Sequence, residues 1–136
     1  MKLLNFFKKD NFMFYSDSLE ILINSKRILE ECRTILSKSN SNTDIEKLIA
    51  PLKLITDSID SFLNNWKSDD DKICSTLATA NDYIKYYSKL CKRINENNYK
   101  EIARYVIDSI DTVLLVLASK INYINKEKLI KSKSLT

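Results

Sequence analysis

Residues 73–94, ICSTLATANDYIKYYSKLCKRI, decide the fold. Apolar residues recur in this stretch at alternating steps of three and four, at positions 73, 77, 80, 84, 87, 91 and 94. A repeat of about 3.5 residues keeps one apolar stripe on a helix and turns that stripe towards neighbouring helices. The stretch therefore predicts an amphipathic helix that packs as one member of a bundle.

Three further segments carry the same repeat. Residues 45–66 and 107–124 keep it strictly, and residues 21–36 follow it more loosely. Flanking apolar residues such as Val106 and Val113 widen each stripe beyond the seam of a two-stranded coiled coil. We therefore predict an all-α, single-domain, antiparallel four-helix bundle with coiled-coil-like heptad packing.

Capping residues and loop composition predict where the helices begin and end. Ser16 is expected to cap the first helix, and Thr43 with Glu46 has the spacing of a capping box, as do Ser68–Asp71 and Asn98–Glu101. The prediction is a bundle over residues 16–126 with helices 16–38, 43–67, 69–95 and 98–126, an amphipathic N-terminal arm, 1–15, and a basic, mobile C-terminal tail, 127–136.

Pro51 is the only proline and lies inside the second predicted helix. A proline there removes the hydrogen bond to the carbonyl of Lys47, so we expect a kink at this point.

The composition excludes most catalytic chemistries. The 136 residues include no glycine and no histidine, so there is no glycine-rich phosphate loop and no imidazole base. Asp57, Asp60, Asp108 and Asp111 are each rotated away from a core isoleucine and are expected to face solvent. We expect no catalytic residue, no cofactor, no metal site and no small-molecule substrate.

Charge and cysteine content favour a cytoplasmic protein with macromolecular partners. The formal net charge is +4, which mildly favours acidic partners. Cys32, Cys74 and Cys91 form no even disulfide framework and indicate a reducing compartment, and residues 1–9 do not resemble a signal peptide. The longest apolar stretch, residues 113–118, is too short to cross a bilayer.

Two short sequences occur twice. Residues 57–60, DSID, recur at 108–111, and residues 32–35, CRTI, resemble CKRI at 91–94. The two spacings are 51 and 59 residues, and both repeats keep their register relative to the apolar stripes. A duplicated helical hairpin is one hypothesis, and chance similarity between heptad helices is the other.

The charge pattern supplies candidate interaction residues. Residues 44–71 hold seven acidic and three basic residues, whereas residues 72–104 hold seven basic and three acidic ones. Basic residues interleaved with tyrosine can contact phosphates or an acidic protein surface, or simply form a solvated face. The candidate surface comprises these basic and aromatic positions together with the N-terminal phenylalanines: Phe6, Phe7, Phe12, Phe14, Lys85, Tyr86, Lys89, Lys92, Arg93, Lys100 and Arg104.

A family resemblance lies in residues 6–36. The sequence FFKKDNFMF at residues 6–14, followed by a long amphipathic helix, resembles the opening of PhoU-related phosphate-transport regulators. The resemblance implies a helical bundle that regulates phosphate uptake and carries acidic metal-binding motifs on inner helices. It covers about a quarter of the chain and assigns no site residue here.

The sequence thus favours a small, non-catalytic protein that binds another protein, as a regulator, adaptor or inhibitor, or that associates with itself. Three alternatives stay open: a PhoU-like regulator of phosphate uptake, a protein that contacts the membrane through its N-terminal arm, and a nucleic-acid-binding protein that uses a basic helix face.

Overall fold

The computed structural model describes residues 2–66 and 71–134, with side chains over 13–66 and 72–127. The helices are α1 (Lys2–Ser37), α2 (Asn42–Glu46), α3 (Ile49–Asn65), α4 (Asp71–Lys92) and α5 (Tyr99–Ser134). The described ranges contain no strand, and the all-α prediction is confirmed. None of the described helices combines the length and the apolarity that crossing a bilayer requires.

The first and last helices are longer than the sequence predicted. α1 begins at Lys2, so the arm 1–15 is not a separate segment and Ser16 is not a helix cap. The pattern of buried residues on α1 continues towards the N-terminus through Ser18 to Phe14. The Ser18 hydroxyl donates to the Phe14 carbonyl oxygen at 2.6 Å. α5 continues to Ser134 through most of the predicted tail, because residues 125–134 contain no glycine or proline to end a helix.

The predicted second helix, 43–67, is divided into α2 and α3. The break lies at Lys47 and Leu48. The Leu48 backbone N–H donates to the Ile45 carbonyl at 3.0 Å. Pro51 lies in the first turn of α3, where backbone N–H groups have no partner within the helix. The helix is therefore interrupted at the two residues that precede α3, and not at Pro51 as predicted.

The cap of α2 also differs from the prediction. Ser41, not Thr43, is the N-cap, and its hydroxyl oxygen accepts from the Asp44 backbone N–H at 3.4 Å. The Asp44 carboxylate accepts from the Asn40 N–H at 3.1 Å, and this bond lowers the pKa of Asp44. Of the predicted pair Ser68–Asp71, Ser68 lies outside the described residues and Asp71 is described without its side chain.

The α4–α5 connection is built around Asn98, which directly precedes the first residue of α5. The side-chain oxygen of Asn98 accepts from the Asn95 N–H at 2.7 Å, and the Asn95 side chain accepts in turn from the Asn98 N–H at 3.1 Å. These reciprocal bonds close the loop between the two helices without a glycine.

The core follows the predicted stripes on α3 and α4 and departs from them on α5. Val106 and Val113, expected to flank the fourth stripe, are buried, whereas Ile107, Leu114 and Ile121 are half-buried. A stripe this wide can rotate about its axis, so packing against neighbours decides which face is inward. Each of the helices in the described ranges contributes to one core cluster.

Two helix pairs hold the bundle together. α1 packs most extensively on α5, and α3 on α4, while the α1/α3 and α4/α5 seams are less extensive. α3 and α4 run in opposite directions: the carbonyl of Trp66, just after α3, meets Cys74 early in α4, whereas Asp60 meets Asn81 further along. At one end of the bundle, the Phe14 ring packs on Phe62 at 5.8 Å between centroids and on Trp66 at 5.6 Å.

The cap of α2 gives the first testable prediction. Ser41→Ala should lower the free energy of unfolding by about 1 kcal/mol, because it leaves a helix N–H without its acceptor. Thr43→Ala is the matched control and should have little effect, since Thr43 is exposed within the helix. Urea unfolding of both variants measures this, and equal losses would contradict the assignment of Ser41 as the cap.

Candidate interaction surface

The predicted basic surface does not form one continuous face. The Lys85 ammonium lies 3.3 Å from an Asp60 carboxylate oxygen, which also accepts from the buried Asn81 amide at 2.8 Å. Lys85 is thereby turned towards α3 and its charge is largely matched. Lys100 and Arg104 instead line a groove beside Ser37 and Ser39, between the end of α1 and the start of α5.

Four of the predicted residues stay exposed on α4. Tyr86, Lys89, Lys92 and Arg93 are all exposed, and among the described side chains none forms an ion pair with Lys89, Lys92 or Arg93. Tyr86, Lys89 and Arg93 therefore keep the shared outward face that their spacing predicted.

The N-terminal phenylalanines give a different outcome. Phe14 is only 1% exposed and belongs to the aromatic cluster with Phe62 and Trp66, so its predicted surface role is wrong. Its ring stabilises the end of the bundle because it fills the space between α1 and α3. The side chains of Phe6, Phe7 and Phe12 lie outside the described side chains.

The structure adds aromatic residues that the sequence reasoning missed. Tyr83 and Tyr105 are exposed by 49% and 52%, and the Tyr105 ring meets Tyr86 edge-on at 6.3 Å between centroids. Val116 is also exposed on the same side of α5. A tyrosine pair thus bridges α4 and α5 at the surface.

Beside this pair runs a groove of about 350 Å³, which we call the α4/α5 groove. None of its lining residues is charged, in a chain where 29% of residues are. α4 and α5 supply the lining together: Ser75, Thr76, Thr79, Ala80, Tyr83, Ser109, Thr112, Val113 and Val116.

A hydrogen bond holds the two walls of the α4/α5 groove at a set spacing. The hydroxyl of the buried Tyr87 and that of Ser109 lie 2.5 Å apart. Burial raises the pKa of Tyr87, so the phenol is protonated at neutral pH and can take part in this bond as donor or acceptor. The groove is therefore a preformed feature of the folded bundle.

The sequence contained a signal for this groove. Residues 76, 79, 83 and 86 on α4, and 105, 109, 112 and 116 on α5, are uncharged and follow one another at steps of three and four. Each set forms a second stripe beside the core stripe of its helix. Only the packing of α4 against α5 places the two stripes side by side.

A second groove, the α1/α3 groove, has a volume of about 290 Å³. The Trp66 indole N–H donates across it to the Asp17 carboxylate at 3.1 Å. Acidic, amide and hydroxyl side chains dominate its lining: Asp17, Glu20, Ile21, Asn24, Ser58, Ser61, Phe62, Asn65 and Trp66.

The two grooves occupy equivalent positions in the two halves of the chain. The 59-residue spacing carries the α1 residues 17, 20, 21 and 24 onto 76, 79, 80 and 83 of α4. The 51-residue spacing carries the α3 residues 58, 61, 62 and 65 onto 109, 112, 113 and 116 of α5. These are the spacings of the two sequence repeats, so the grooves support the duplicated-hairpin hypothesis.

The four aspartates of the DSID repeats divide into two kinds. Asp57 and Asp108 are exposed, as predicted, while Asp60 and Asp111 are half-buried at helix seams. Arg33 of α1 donates to both carboxylate oxygens of Asp111 on α5, at 2.5 and 3.2 Å, and these bonds lower the pKa of Asp111. Over the described residues, no group of three or more cysteine or acidic side chains is placed to hold a metal ion.

Two of the cysteines lie in the core and the third lies at its edge. Cys32 and Cys91 are buried, and Cys74 is half-buried. Burial raises the pKa of Cys32 to about 12 and that of Cys91 to about 11, so both remain protonated and unreactive at neutral pH.

Comparison with known proteins adds no assignment. No protein-family model matches the chain, and no curated protein or solved structure is significantly similar to it. The resemblance of residues 6–36 to PhoU-related regulators stays a prediction.

The Arg33–Asp111 pair predicts a pH dependence of stability. Because folding lowers the pKa of Asp111, the pair stabilises the fold above the unfolded-state pKa of about 4, and this is lost as pH falls. Asp111→Asn should therefore be less stable than the parent at pH 7 and should match it more closely near about pH 2. Urea unfolding across pH measures this, with Asp57→Asn as control; a pH-independent difference would contradict the role of the pair.

Thiol labelling tests the placement of the cysteines. At pH 8 the native protein should react quickly with a disulfide reagent at Cys74 alone, while Cys32 and Cys91 should react only as the bundle opens. Peptide mapping after timed labelling identifies the sites. Rapid labelling of Cys32 in the native protein would show that the α1 stripe is not packed as described.

Proposed function

We propose that the protein is non-catalytic and acts by binding another protein, as a regulator, adaptor or inhibitor. The binding surface is the α4/α5 groove together with Tyr86 and Tyr105. The observation that carries this proposal is the concentration of exposed apolar side chains on one side of the bundle.

Eight large hydrophobic residues are exposed among the described side chains, and five of them belong to α4 and α5. Four of these five border the groove or its tyrosine pair: Tyr83, Tyr86, Tyr105 and Val116. The fifth, Leu115, lies on the adjoining face. Exposed apolar groups that cluster in this way are typical of protein-binding sites, whereas isolated ones are common on any surface.

Tyrosine suits such a surface for two reasons. Its ring buries a large apolar area on binding, and fixing it costs little side-chain conformational entropy. Its hydroxyl is hydrated while the protein is free. The rings of Tyr86 and Tyr105 also contact each other edge-on. Part of the side-chain entropy that binding would cost is therefore already lost in the free protein.

Charge supports the same surface. Lys89 and Arg93 lie one to two turns beyond Tyr86 on its outward face. Unpaired basic residues near an uncharged groove speed encounter with a partner of the opposite sign, while the uncharged centre avoids the cost of burying charge. The favoured partner is therefore a protein with an acidic rim around an apolar contact.

A pair of substitutions at equivalent positions tests this proposal. Thr79→Arg places a charged side chain in the α4/α5 groove, and Glu20→Arg places the same side chain at the corresponding position of the α1/α3 groove. Both positions are exposed, so both variants should fold like the parent. Affinity capture from cell extract with quantitative mass spectrometry should find a protein retained by the parent and by Glu20→Arg and lost by Thr79→Arg.

The captured protein is then purified, and direct titration should show at least a tenfold weaker affinity for Thr79→Arg. Retention that is lost on nuclease treatment, and on Lys89→Glu with Arg93→Glu but not on Thr79→Arg, would replace the proposal with nucleic-acid binding. A partner that is lost equally from Thr79→Arg and Glu20→Arg would also contradict it.

A further inference from the structure

α1 extends beyond α3 and α4 at one end of the bundle. The Phe14 ring of α1 packs on Phe62 and Trp66 at the end of α3, so residues 2–13 of α1 lie beyond α3. This extension adds about 18 Å of helix. α4 starts no further out, because Cys74 in its first turn meets the carbonyl of Trp66.

α5 extends beyond the start of α4. Thr76, in the second turn of α4, lines the α4/α5 groove together with Val116 of the antiparallel α5. α5 therefore passes the first residue of α4 about five residues, or 8 Å, after Val116. Residues 125–134 of α5 lie beyond that point.

The two extensions leave the bundle at the same end. α1 and α5 run antiparallel, since Arg33 late in α1 bonds to Asp111, whereas Ile23 earlier in α1 shares a groove with Ile121 further along α5. The start of α1 and the end of α5 are therefore neighbours. We call the two extensions, residues 2–13 and 125–134, the basic end.

The basic end carries the net positive charge of the chain. It holds seven lysines and two acidic residues, while the rest of the chain holds 15 basic and 16 acidic residues. Its lysines are Lys2, Lys8, Lys9, Lys126, Lys128, Lys131 and Lys133. The positive potential of the protein is therefore concentrated at one end of the bundle.

The apolar stripe of α1 continues into the basic end, whereas that of α5 does not. Seven and eleven residues before Phe14, the register positions of the stripe hold Phe7 and Leu3. Four and seven residues after the buried Ile124, the corresponding positions of α5 hold Lys128 and Lys131. Among the described helices, the α1 extension therefore has no matching apolar stripe to cover it.

Apolar residues are frequent throughout the α1 extension. Five of residues 2–13 are leucine or phenylalanine, at positions 3, 4, 6, 7 and 12. Met13, the first residue of α1 whose side chain is described, is 48% exposed. The basic end thus combines positive charge with apolar residues within a few turns of helix.

We propose that the basic end binds an anionic lipid surface. Lysine is attracted to anionic headgroups, and leucine and phenylalanine are stabilised at the boundary between headgroups and acyl chains. Binding strength grows with both contributions. A nucleic acid would contact the lysines and leave the apolar stripe of α1 uncovered. The site goes beyond the proposed function, because its residues lie outside the α4/α5 groove.

Flotation of the full chain with lipid vesicles tests this inference. The protein should float with vesicles of phosphatidylcholine that contain about 30% phosphatidylserine, and should stay behind with phosphatidylcholine alone. Binding should fall as salt is raised, because the Debye length shortens from about 10 Å at 0.1 M to about 3 Å at 1 M ionic strength.

Two charge-reversal variants locate the contact. Lys8→Glu with Lys9→Glu should weaken binding to the anionic vesicles at least twentyfold, since each lysine near the surface contributes about fivefold. Lys89→Glu with Arg93→Glu is the matched control, because it makes the same change in net charge at exposed residues of α4. The control should bind like the parent, and so should Thr79→Arg in the α4/α5 groove.

A second pair of variants tests the apolar contribution. Phe6→Gln with Phe7→Gln should weaken vesicle binding at least tenfold and leave the charge unchanged. Leu54→Gln, which changes an exposed leucine of α3, should have no effect. Circular dichroism checks that each variant is folded, and the two charge-reversal variants decide the question where the phenylalanine variant is not.

Four results would overturn the inference: no flotation with the anionic vesicles, equal binding to phosphatidylcholine alone, equal losses from the two charge-reversal variants, or no loss on changing Phe6 and Phe7 in a folded variant. Binding of a DNA or RNA probe that is lost on Lys8→Glu with Lys9→Glu, without vesicle binding, would replace lipid with nucleic acid. None of these results bears on partner capture by the α4/α5 groove, which Thr79→Arg tests separately.

Discussion

The structure depends on the burial of one continuous apolar stripe along each long helix. The stripes of α1, α3, α4 and α5 meet in a single core, and the short helix α2 adds Ile45 to it. Since a helix of this kind gains most of its stability from packing its apolar face, each helix persists as long as its stripe has neighbours to cover it. Phe14 shows this in α1, because its buried ring continues the apolar stripe on the N-terminal side of Ser16, where the helix was predicted to begin.

The same constraint explains why the surface has two unlike grooves. Burial is satisfied by the core stripes, so the second stripe on each helix can differ between the two halves of the chain. In one half the groove is lined by acidic, amide and hydroxyl side chains and bridged by the Trp66–Asp17 hydrogen bond; in the other half its lining is uncharged. A scaffold with equivalent grooves of different character provides a surface for a partner without any change in the core, and this is the basis of the function proposed for the α4/α5 groove.

Sequence reasoning was most accurate where a property depends on spacing along one helix. It placed Cys91 in the core and the stripes of α3 and α4 inward, because periodicity determines which residues share a face. It was wrong at the arm, the tail, the cap at Thr43 and the surface role of Phe14, where the outcome depends on contacts between segments. It grouped Lys85 with Lys89 and Arg93, although Asp60 of another helix turns Lys85 aside.

The sequence by itself determined the helical class, the positions of most core residues and the absence of glycine- and histidine-based chemistry, since these follow from composition and local periodicity. Only the tertiary structure decided which face of α5 turns inward, that the two repeats stand at equivalent positions, and that the stripes of Thr76 to Tyr86 and Tyr105 to Val116 meet in one groove. The reason is physical: a residue's helix and face are set by its neighbours along the chain, whereas its partners across a seam are set by the packing of whole helices, which no short segment encodes alone.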